Sequence, residues 1–594
     1  MLKKNLKKLF ALGLIATLGI GSLTACGGSD VALEKSSNVS EVESAETDKD
    51  TDNETAQAPT EEAAEQETGG EDSFGKYEET IVLSAGRYTQ ADPKLPEGDS
   101  YEDNAYTRYL KERLNVQIED EFEASQDEYD RQTSLAIAAG EIPDILTVRT
   151  EDVLQELVDA GLVADLTEVY DQYASDGLKN IYSSYGEGAF DSVTFDGKLM
   201  ALPGTFYDIA PQVIFVRQDW LDKLNMTVDE DGDGCLTLSE LEEIAAAFVE
   251  NDPGESGSPV GFAMDANALN CTEYGASCHT MTGIAGVFDC YPEIWYRDAE
   301  GNLTYGSTTE GMKETLAFLN DWFEKGLLDP QVATRTYDDI AALLANNQLG
   351  ITTGPYHFPG WGLANVKTMN PEADFACYTL CDDEGNVNVF RMNFIQRYVV
   401  VSSECENPEA VVKIMNVLYD ELAFGDLETI APEVFEYVKL GVDNSVKPTW
   451  IECMDASKLL TDYAMNMAAL NGETEIESLP TPSQQNTVTN AKNYMENPEE
   501  ATVAEWISYT GSIKGVSLLN QLTEENKMKK TEPVFWGTTD TMKKKWANLE
   551  ALEAESFIKI ITGAEPIDYF DTFVENWLSQ GGQEIIDEID ALTK

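Results

Sequence analysis

Residues 127–148, DEYDRQTSLAIAAGEIPDILTV, decide the fold class because they join an amphipathic helix to a short buried strand. The pattern predicts a helix over 127–139 and a strand over 143–148. Further elements predicted upstream are a strand, a helix and a second strand, at 81–83, 104–114 and 116–122. Strands and helices that alternate at these lengths indicate a doubly wound α/β fold, in which helices cover both faces of a parallel sheet.

The C-terminal part of the chain has a different pattern. Past about residue 400 the sequence is mostly helical, with helices predicted at 408–422, 449–470, 541–561 and 569–590. More than 500 residues follow position 80, which is too many for one hydrophobic core. We therefore expect two or more domains.

Five segments, in this order along the chain, resemble extracellular solute-binding proteins (family 1, sugar/oligosaccharide type) of ABC importers. AAGEIPDI at 138–145 is similar to their "ASG-x-x-PD-I" segment, and DGKLMALP at 196–203 is similar to "DGK-x-Y-x-x-P". VRQDWLDKL at 216–224 resembles "RKDWLDKLG", and LNDWFEKGLLDP at 319–330 resembles a helix that ends in "EGLIDP". FVENWLSQGG at 573–582 resembles a typical C-terminal ending of this family.

The resemblance implies a two-lobe, periplasmic-binding-protein-like α/β fold with a hinge and a helical C-terminal region. The implied N-terminal lobe comprises residues 80–210 and 392–440, the C-terminal lobe 211–391 and 441–594, and the crossings lie near 204–215 and 391–400. The implied activity is capture of a small-molecule ligand by lobe closure, followed by delivery to the permease subunits of an ABC transporter. We expect a monomer that carries out no bond chemistry.

Residues 1–26, MLKKNLKKLFALGLIATLGIGSLTAC, have the pattern of a lipoprotein signal peptide. Four lysines precede an apolar stretch that is too short and too glycine-rich for a comfortable transmembrane helix. The ending LTAC resembles a bacterial lipobox, which implies removal of residues 1–25 and lipidation of Cys26. Lipid chains on that residue anchor a protein to the cell membrane without spanning it, so we expect a position on the extracellular face. An ordinary signal peptide with an accidental cysteine is the alternative.

The next segment, 26–79, is predicted to be a disordered acidic tether. Between residues 27 and 79 there are 17 acidic and 3 basic residues and almost no aromatic ones, so little apolar surface is available to offset the entropy of ordering. The whole chain carries 39 Lys+Arg against 109 Asp+Glu, a formal net charge of −70. A field of that sign repels polyanions, and we expect no nucleic-acid partner.

Residues 229–240, DEDGDGCLTLSE, fit the EF-hand calcium loop at each demanding position. Alternating aspartates bring three carboxylates to one cation, a glycine permits the sharp turn, and the final glutamate supplies a bidentate carboxylate. The predicted Ca²⁺ ligands are Asp229, Asp231, Asp233, the carbonyl of Cys235, Thr237 through a water, and Glu240. The loop lacks an EF-hand partner, so we expect a structural ion rather than a sensor. An acidic turn in a very acidic protein is the alternative.

A sugar-binding cleft needs aromatic faces for the apolar side of pyranose rings and planar polar groups for the hydroxyls. The run GPYHFPGW at 354–361 resembles a segment of maltose-binding proteins whose first aromatic residue stacks on sugar; Tyr356 stands here where that family has tryptophan. The candidate ligand contacts are Tyr356, Trp361, Arg87, Tyr88, Tyr207, Trp295 and Arg397. We expect Trp220, Trp322 and Trp577 to pack in the core.

The cysteines, the histidines and the absence of catalytic motifs bear on other possible functions. Eight cysteines follow Cys26, and their even number allows disulfides, although free buried thiols are equally compatible. With only two histidines, a His-rich zinc or iron site is not expected. The leading hypothesis is a lipid-anchored receptor for a carbohydrate, most simply an oligosaccharide; the same fold could instead bind a peptide or another small polar solute. A surface glycosidase is less favoured, since no nucleophile elbow, zinc-protease motif or P-loop is present.

Overall fold

A computed structural model describes residues 73–594 apart from 209, 231 and 267–277. The expected signal peptide, the lipidation site at Cys26 and most of the tether therefore lie outside the described residues, and so does Asp231. No helix among the described residues is long and apolar enough to cross a membrane.

The described helices are α1 Ala105–Leu114, α2 Gln126–Ala139, α3 Glu151–Asp159, α4 Thr167–Tyr173, α5 Asp176–Ser183, α6 Gln218–Leu224, α7 Leu238–Asn251, α8 Thr282–Val287, α9 Glu310–Glu324, α10 Tyr337–Ala345, α11 Ala364–Met369, α12 Pro408–Asn416, α13 Leu422–Phe424, α14 Leu427–Ile430, α15 Pro432–Leu440, α16 Lys458–Leu470, α17 Pro482–Glu496, α18 Val503–Ile507, α19 Val516–Glu524, α20 Met542–Ile561, α21 Tyr569–Trp577 and α22 Gln583–Leu592.

The described strands are β1 Ile81–Tyr88, β2 Val116–Ala124, β3 Ile145–Val148, β4 Thr194–Phe195, β5 Lys198–Leu199, β6 Leu202–Thr205, β7 Val213–Arg217, β8 Cys235–Leu236, β9 Trp295–Arg297, β10 Leu303–Tyr305, β11 Ile351–Gly354, β12 Phe375–Leu380, β13 Val387–Phe390, β14 Ile395–Val401, β15 Met528–Thr531 and β16 Pro533–Phe535.

The sheet of the first lobe has the strand order β2-β1-β3-β14-β6. Strands β1, β2 and β3 are mutually parallel, as the alternation of strands and helices predicts, since α1 and α2 form the crossovers between them. Strand β14 is antiparallel to β3 and to β6. The sheet is therefore mixed, because β14 enters from the other lobe and not through a helical crossover on the same sheet.

The core of the first lobe extends beyond the boundary expected at residue 440. Val446, Ile451 and Cys453 are buried in the same hydrophobic cluster as strands β1, β3 and β14. The structure thus places residues 441–453 with the first lobe, because their apolar side chains are covered by that core.

The folded part also begins before residue 80, where the tether was expected to end. Ser73 is buried, and Phe74 and Tyr77 pack against the core of the first lobe. The backbone N–H of Tyr77 donates a 3.0 Å hydrogen bond to the carbonyl of Leu114, and its hydroxyl donates a 3.0 Å bond to Glu409. Two aromatic rings at the end of an acidic segment supply the apolar surface that the rest of the segment lacks.

The second lobe is built on the sheet β11-β7-β12-β8. Trp220, Trp322 and Trp577 are at most 1% exposed within its core, which confirms their predicted packing role. Helices α20, α21 and α22 cover this core. The last helix predicted, at 569–590, is divided into α21 and α22, and Gly581 between them has a φ of 146° that an L side chain rarely adopts. The seven described cysteines are all free.

Three segments cross between the lobes and hydrogen-bond to one another. The first follows β6, the second joins β13 to β14, and the third precedes α16. The N–H of Phe206 donates to the carbonyl of Phe394 over 2.9 Å, and the N–H of Thr205 donates to the carbonyl of Glu452 over 2.8 Å. The Thr205 hydroxyl, in a side chain with no exposed surface, donates a 2.9 Å bond to the Met454 carbonyl.

The helix predicted over 449–470 is wrong in its first part, because α16 begins only at Lys458. Residues 451–454 form no helix, and Cys453 pairs with Thr205 as a parallel bridge. The apolar residues in this stretch face the first-lobe core and the crossing segments, so their spacing imitates a helical period.

A buried carboxyl group in the second lobe gives the fold a testable pH dependence. Glu553 is 2% exposed and accepts a 3.0 Å hydrogen bond from the hydroxyl of Tyr305. Burial raises its pKa from 4.5 to about 7, although bonds from Ser307 and Tyr305 oppose that shift. The folded state therefore holds a proton that the unfolded state releases near pH 4.5, and the stability it contributes is lost as pH rises through 7.

We expect Glu553→Gln to flatten the stability profile. Between pH 4.5 and 7 the free energy of unfolding of the wild type should fall by about 3 kcal/mol more than that of the variant. Chemical denaturation at half-unit pH steps measures this difference in the free energy of unfolding. The contributions of the other titrating groups are the same in both proteins and therefore cancel in the comparison. Parallel profiles for the two proteins would show that Glu553 is ionised in the folded state.

Candidate functional site

The candidate site lies at the carboxyl ends of the parallel strands of the first lobe, where open α/β sheets bind ligands. Tyr88 is the last residue of β1, and Arg149 directly follows β3. Arg397 lies near the start of the antiparallel strand β14, where Tyr398 is opposite Val148. The sheet therefore brings Tyr88, Arg149 and Arg397 to one edge.

Trp450 completes this edge and joins Tyr88 to Arg397. The rings of Tyr88 and Trp450 are stacked with centroids 3.5 Å apart and an interplanar angle of 3°. The guanidinium carbon of Arg397 lies 4.1 Å from the centroid of the Trp450 ring. Because Tyr88 covers one face of the indole, the guanidinium must lie on the other. Trp450 thus holds the side chain of Arg397 in a fixed position.

The second lobe contributes an aromatic wall. Tyr291, Ile294 and Phe390 form a small buried cluster, against which the half-buried rings of Tyr296 and Trp536 pack. Tyr291 contacts Tyr296 edge-to-face at a centroid distance of 5.4 Å. The wall residues lie in the turn before β9, in β9, in β13 and directly after β16.

The wall lies close to the first lobe. A Cβ atom placed on Gly537, next to Trp536, would be 3.7 Å from a carboxylate oxygen of Glu151 at the start of α3. Burial raises the pKa of Glu151, and the neighbouring charge of Asp152 adds to this shift. The carboxyl group of Glu151 on the first lobe thus lies next to the segment of the second lobe that carries Trp536.

Two of the predicted ligand contacts lie elsewhere, and the structure corrects them. Arg87 is 1% exposed, donates a 2.6 Å hydrogen bond to the carbonyl of Val446 and lies 3.6 Å from Asp120. It points into the core because successive side chains of a strand alternate between faces. Trp295 is 5% exposed, and its ring contacts Tyr305 at a centroid distance of 4.6 Å. That ring is part of the second-lobe core.

The other predicted contacts occupy the first crossing and the segment after β11. The hydroxyls of Tyr207 and Tyr356 are hydrogen-bonded at 3.0 Å, and Tyr356 is 8% exposed. Trp361 is 41% exposed, and its indole N–H donates a 3.1 Å bond to Nδ1 of His357. These three residues, with Tyr88 and Arg397, remain predicted ligand contacts.

Sequence reasoning missed Trp450 and Trp536. Trp450 was assigned to a helix that does not exist at that position, and Trp536 stands in a short segment with no motif around it. No periodic signal marks Trp450 either, because Trp450 and Ile451 are adjacent apolar residues in TWIEC at 449–453 and break the alternation typical of a strand.

The predicted calcium loop adopts tight turns that its aspartates stabilise. The two carboxylate oxygens of Asp229 accept the N–H groups of Asp233 and Gly234, at 3.0 and 3.2 Å. Gly232 and Gly234 have φ values of 73° and 76°, which favour glycine. Strand β8 within the loop pairs in parallel with β12.

The end of the loop forms the start of α7. Thr237 caps this helix and exchanges hydrogen bonds with Glu240 as a capping box. A carboxylate oxygen of Asp233 contacts the ammonium of Lys527 at 2.5 Å. Among the described residues, which omit Asp231, no metal-binding group of three acidic, histidine or cysteine side chains is formed. The oxygen donors suit calcium, and the ammonium supplies a positive charge beside them.

No protein-family model matches the chain. The polygalacturonan/rhamnogalacturonan-binding protein YtcQ of Bacillus subtilis (strain 168) is 26% identical over 224 residues, which are 37% of this chain and 40% of that protein. The fructooligosaccharide ABC transporter substrate-binding protein FusA of Streptococcus pneumoniae serotype 4 is 22% identical over 310 residues, 50% of this chain and 54% of that protein. The chain spans about half the length of the curated relatives it matches.

Structural similarity extends over most of the chain. The crystal structure of an EF-hand mutant of S. pneumoniae FusA in complex with fructo-nystose aligns with 87% of this chain and 98% of that chain, with a TM-score of 0.54 and 15% identity. The fold is that of a periplasmic-binding-protein-like solute-binding protein. The homologues and structural neighbours are sugar- and oligosaccharide-binding proteins of ABC transporters.

Proposed function

We propose that the protein captures an oligosaccharide between its two lobes and delivers it to the permease of an ABC transporter. The observation that carries this proposal is the pairing of a polar edge, with Arg397 and Glu151, and an aromatic wall, with Trp536 and Tyr296, on opposite lobes. Sugar rings need both kinds of group, since their C–H faces pack on aromatic rings and their hydroxyls bond to planar polar groups.

Closure about the three crossing segments would complete the site. Each lobe alone offers one side of the contact surface, so the ligand stabilises the conformation in which both sides touch it. Closure also removes water from the polar edge, which strengthens the hydrogen bonds made there. The proposed mechanism involves binding alone, and the closed form is the one that the permease recognises.

The proposal includes a location on the extracellular face of the cell membrane. Lipidation of Cys26 would attach the chain to the membrane, and the acidic segment after it would act as a tether. The lipobox-like sequence at 23–26 supports this part of the proposal. The expected partners are the ligand and the permease subunits, and the receptor is expected to act as a monomer.

Trp536→Ala tests the proposed site. Loss of the indole should weaken oligosaccharide binding about 10- to 100-fold, because the variant loses a large aromatic contact surface. A thermal-shift screen of oligosaccharides and short peptides identifies a ligand for the wild type, and isothermal titration calorimetry then compares the variants.

Phe424→Ala is the matched control, since that ring is 70% exposed and belongs to neither the polar edge nor the aromatic wall. It should bind as the wild type does. Stabilisation by peptides and by no saccharide would contradict the proposal and favour the peptide-binding alternative. Release of shorter sugars from the ligand would instead indicate a glycosidase.

We further propose that the loop at 229–240 binds one structural calcium ion. Asp229, Asp231, Asp233 and Glu240 would supply carboxylate oxygens, and Cys235 its carbonyl. The ion would have to displace the ammonium of Lys527 from Asp233, since both cations need the same carboxylate oxygen. Its binding would fix the turn between α6 and α7, away from the proposed ligand contacts.

Calcium should raise the thermal unfolding midpoint, and a chelator should reverse the effect. The double variant Asp229→Ala, Glu240→Ala should lose this response, whereas Lys527→Met should bind calcium about fivefold more tightly because the competing cation is gone. Asp298→Ala is the control, since Asp298 also caps a tight turn but has no calcium-loop pattern around it. An unchanged midpoint in wild type with and without calcium would contradict the proposal.

A further inference from the structure

One arginine differs from all the others in this chain. The sequence contains ten arginines, all within the described residues, and nine of them have a carboxylate oxygen within 4.0 Å. Arg397 has none among the described residues and donates no hydrogen bond to any of them. With 109 acidic residues against 39 basic ones, this chain has an ample supply of carboxylates to pair with it.

The surroundings of Arg397 hold it in place without neutralising its charge. The guanidinium rests on Trp450, which is itself stacked on Tyr88. Glu452, an acidic residue whose charge interacts with Arg397, accepts a 2.7 Å hydrogen bond from the side-chain amide of Asn444. Arg149, which interacts with it electrostatically, pairs with Asp130 at 3.0 Å.

This arrangement leaves a partly desolvated positive charge with which a ligand carboxylate can pair. Arg397 is half-buried, and burial lowers its pKa, which means that the charged form is poorly solvated there. Its nitrogen atoms are not among the fully buried polar atoms that lack a partner, so they remain open to water and to an acceptor on a ligand. The guanidinium lies at the carboxyl edge of the sheet, next to the region between the lobes, so an incoming anion can reach it.

We propose that Arg397 anchors a carboxylate of the ligand, so that the captured oligosaccharide is acidic and contains uronic acid units. This inference rests on the proposed function, because it names the class of sugar that the same site takes. A planar guanidinium fork matches the two oxygens of a carboxylate in a bidentate pair. Trp450 is then a positioning residue, since Tyr88 and Arg397 already cover both faces of its ring.

The strongly negative charge of the chain does not prevent this recognition. At physiological ionic strength, charges more than about 8 Å apart are largely screened. Within that distance the ligand carboxylate meets the uncompensated charge of Arg397. The overall charge would instead slow the approach of the ligand and make its association rate increase with salt.

The test uses the full chain and three probe pairs: trigalacturonate, trimannuronate and triglucuronate, each with its methyl ester. The ester keeps the sugar skeleton and removes the negative charge. We expect the wild type to bind at least one acid form more tightly than its ester in isothermal titration calorimetry. Arg397→Gln should weaken acid binding about 10- to 100-fold and ester binding by a much smaller factor, because the ester carbonyl is a neutral acceptor and loses no ion pair. Arg397→Lys should bind the acid with an affinity between those of the wild type and Arg397→Gln, because lysine keeps the positive charge but lacks the planar guanidinium fork.

The outcomes separate this inference from the proposed function. Equal losses for acid and ester in Arg397→Gln, or tighter binding of the ester by the wild type, would overturn the carboxylate assignment. Binding of neutral oligosaccharides alone would also overturn it and leave the receptor function in place. Absence of binding to any saccharide would overturn both. Thermal unfolding of each variant, compared with wild type, shows that a change in affinity does not arise from misfolding.

Discussion

The hydrogen bonds among the three crossing segments are the contact on which the rest of the structure depends. Thr205 is their centre, since its N–H donates to Glu452, its carbonyl accepts from Met454 and its hydroxyl also bonds to Met454. The second crossing is bonded to the first by the N–H of Phe206, which donates to the carbonyl of Phe394. Because the segments are bonded side by side, the proposed closure would bend them together and move each lobe as a unit.

The candidate site is built directly on these segments. Trp450 directly precedes the third crossing, and Arg397 follows the second by three residues. In the proposed function, a ligand that contacts the guanidinium would therefore act close to the backbone that joins the lobes. Tyr207 on the first crossing, bonded to Tyr356 of the second lobe, extends this connection to the other side. In the proposed function, ligand contact and lobe orientation would therefore be coupled through the backbone of the three crossing segments.

Local periodicity was enough to predict much of the fold and only part of the site. The helix and strand at 126–148, the parallel strands β1–β3 and the core tryptophans follow from apolar spacing alone. The third crossing does not, because the apolar residues of TWIEC all belong to the first-lobe core but are spaced as in a helix, and a true helix follows at Lys458. Arg87 and Tyr88 are neighbours with opposite orientations, and only the register of β1 determines which one reaches the edge.

The central claim is that ligand capture closes the two lobes about the three-segment hinge. The most direct measurement is the distance between two spin labels, one at exposed Glu168 in α4 of the first lobe and one at exposed Asp338 in α10 of the second, by pulsed electron paramagnetic resonance. The account predicts a distance distribution that shifts and narrows when a saturating oligosaccharide ligand is added. An identical distribution with and without bound ligand would contradict it.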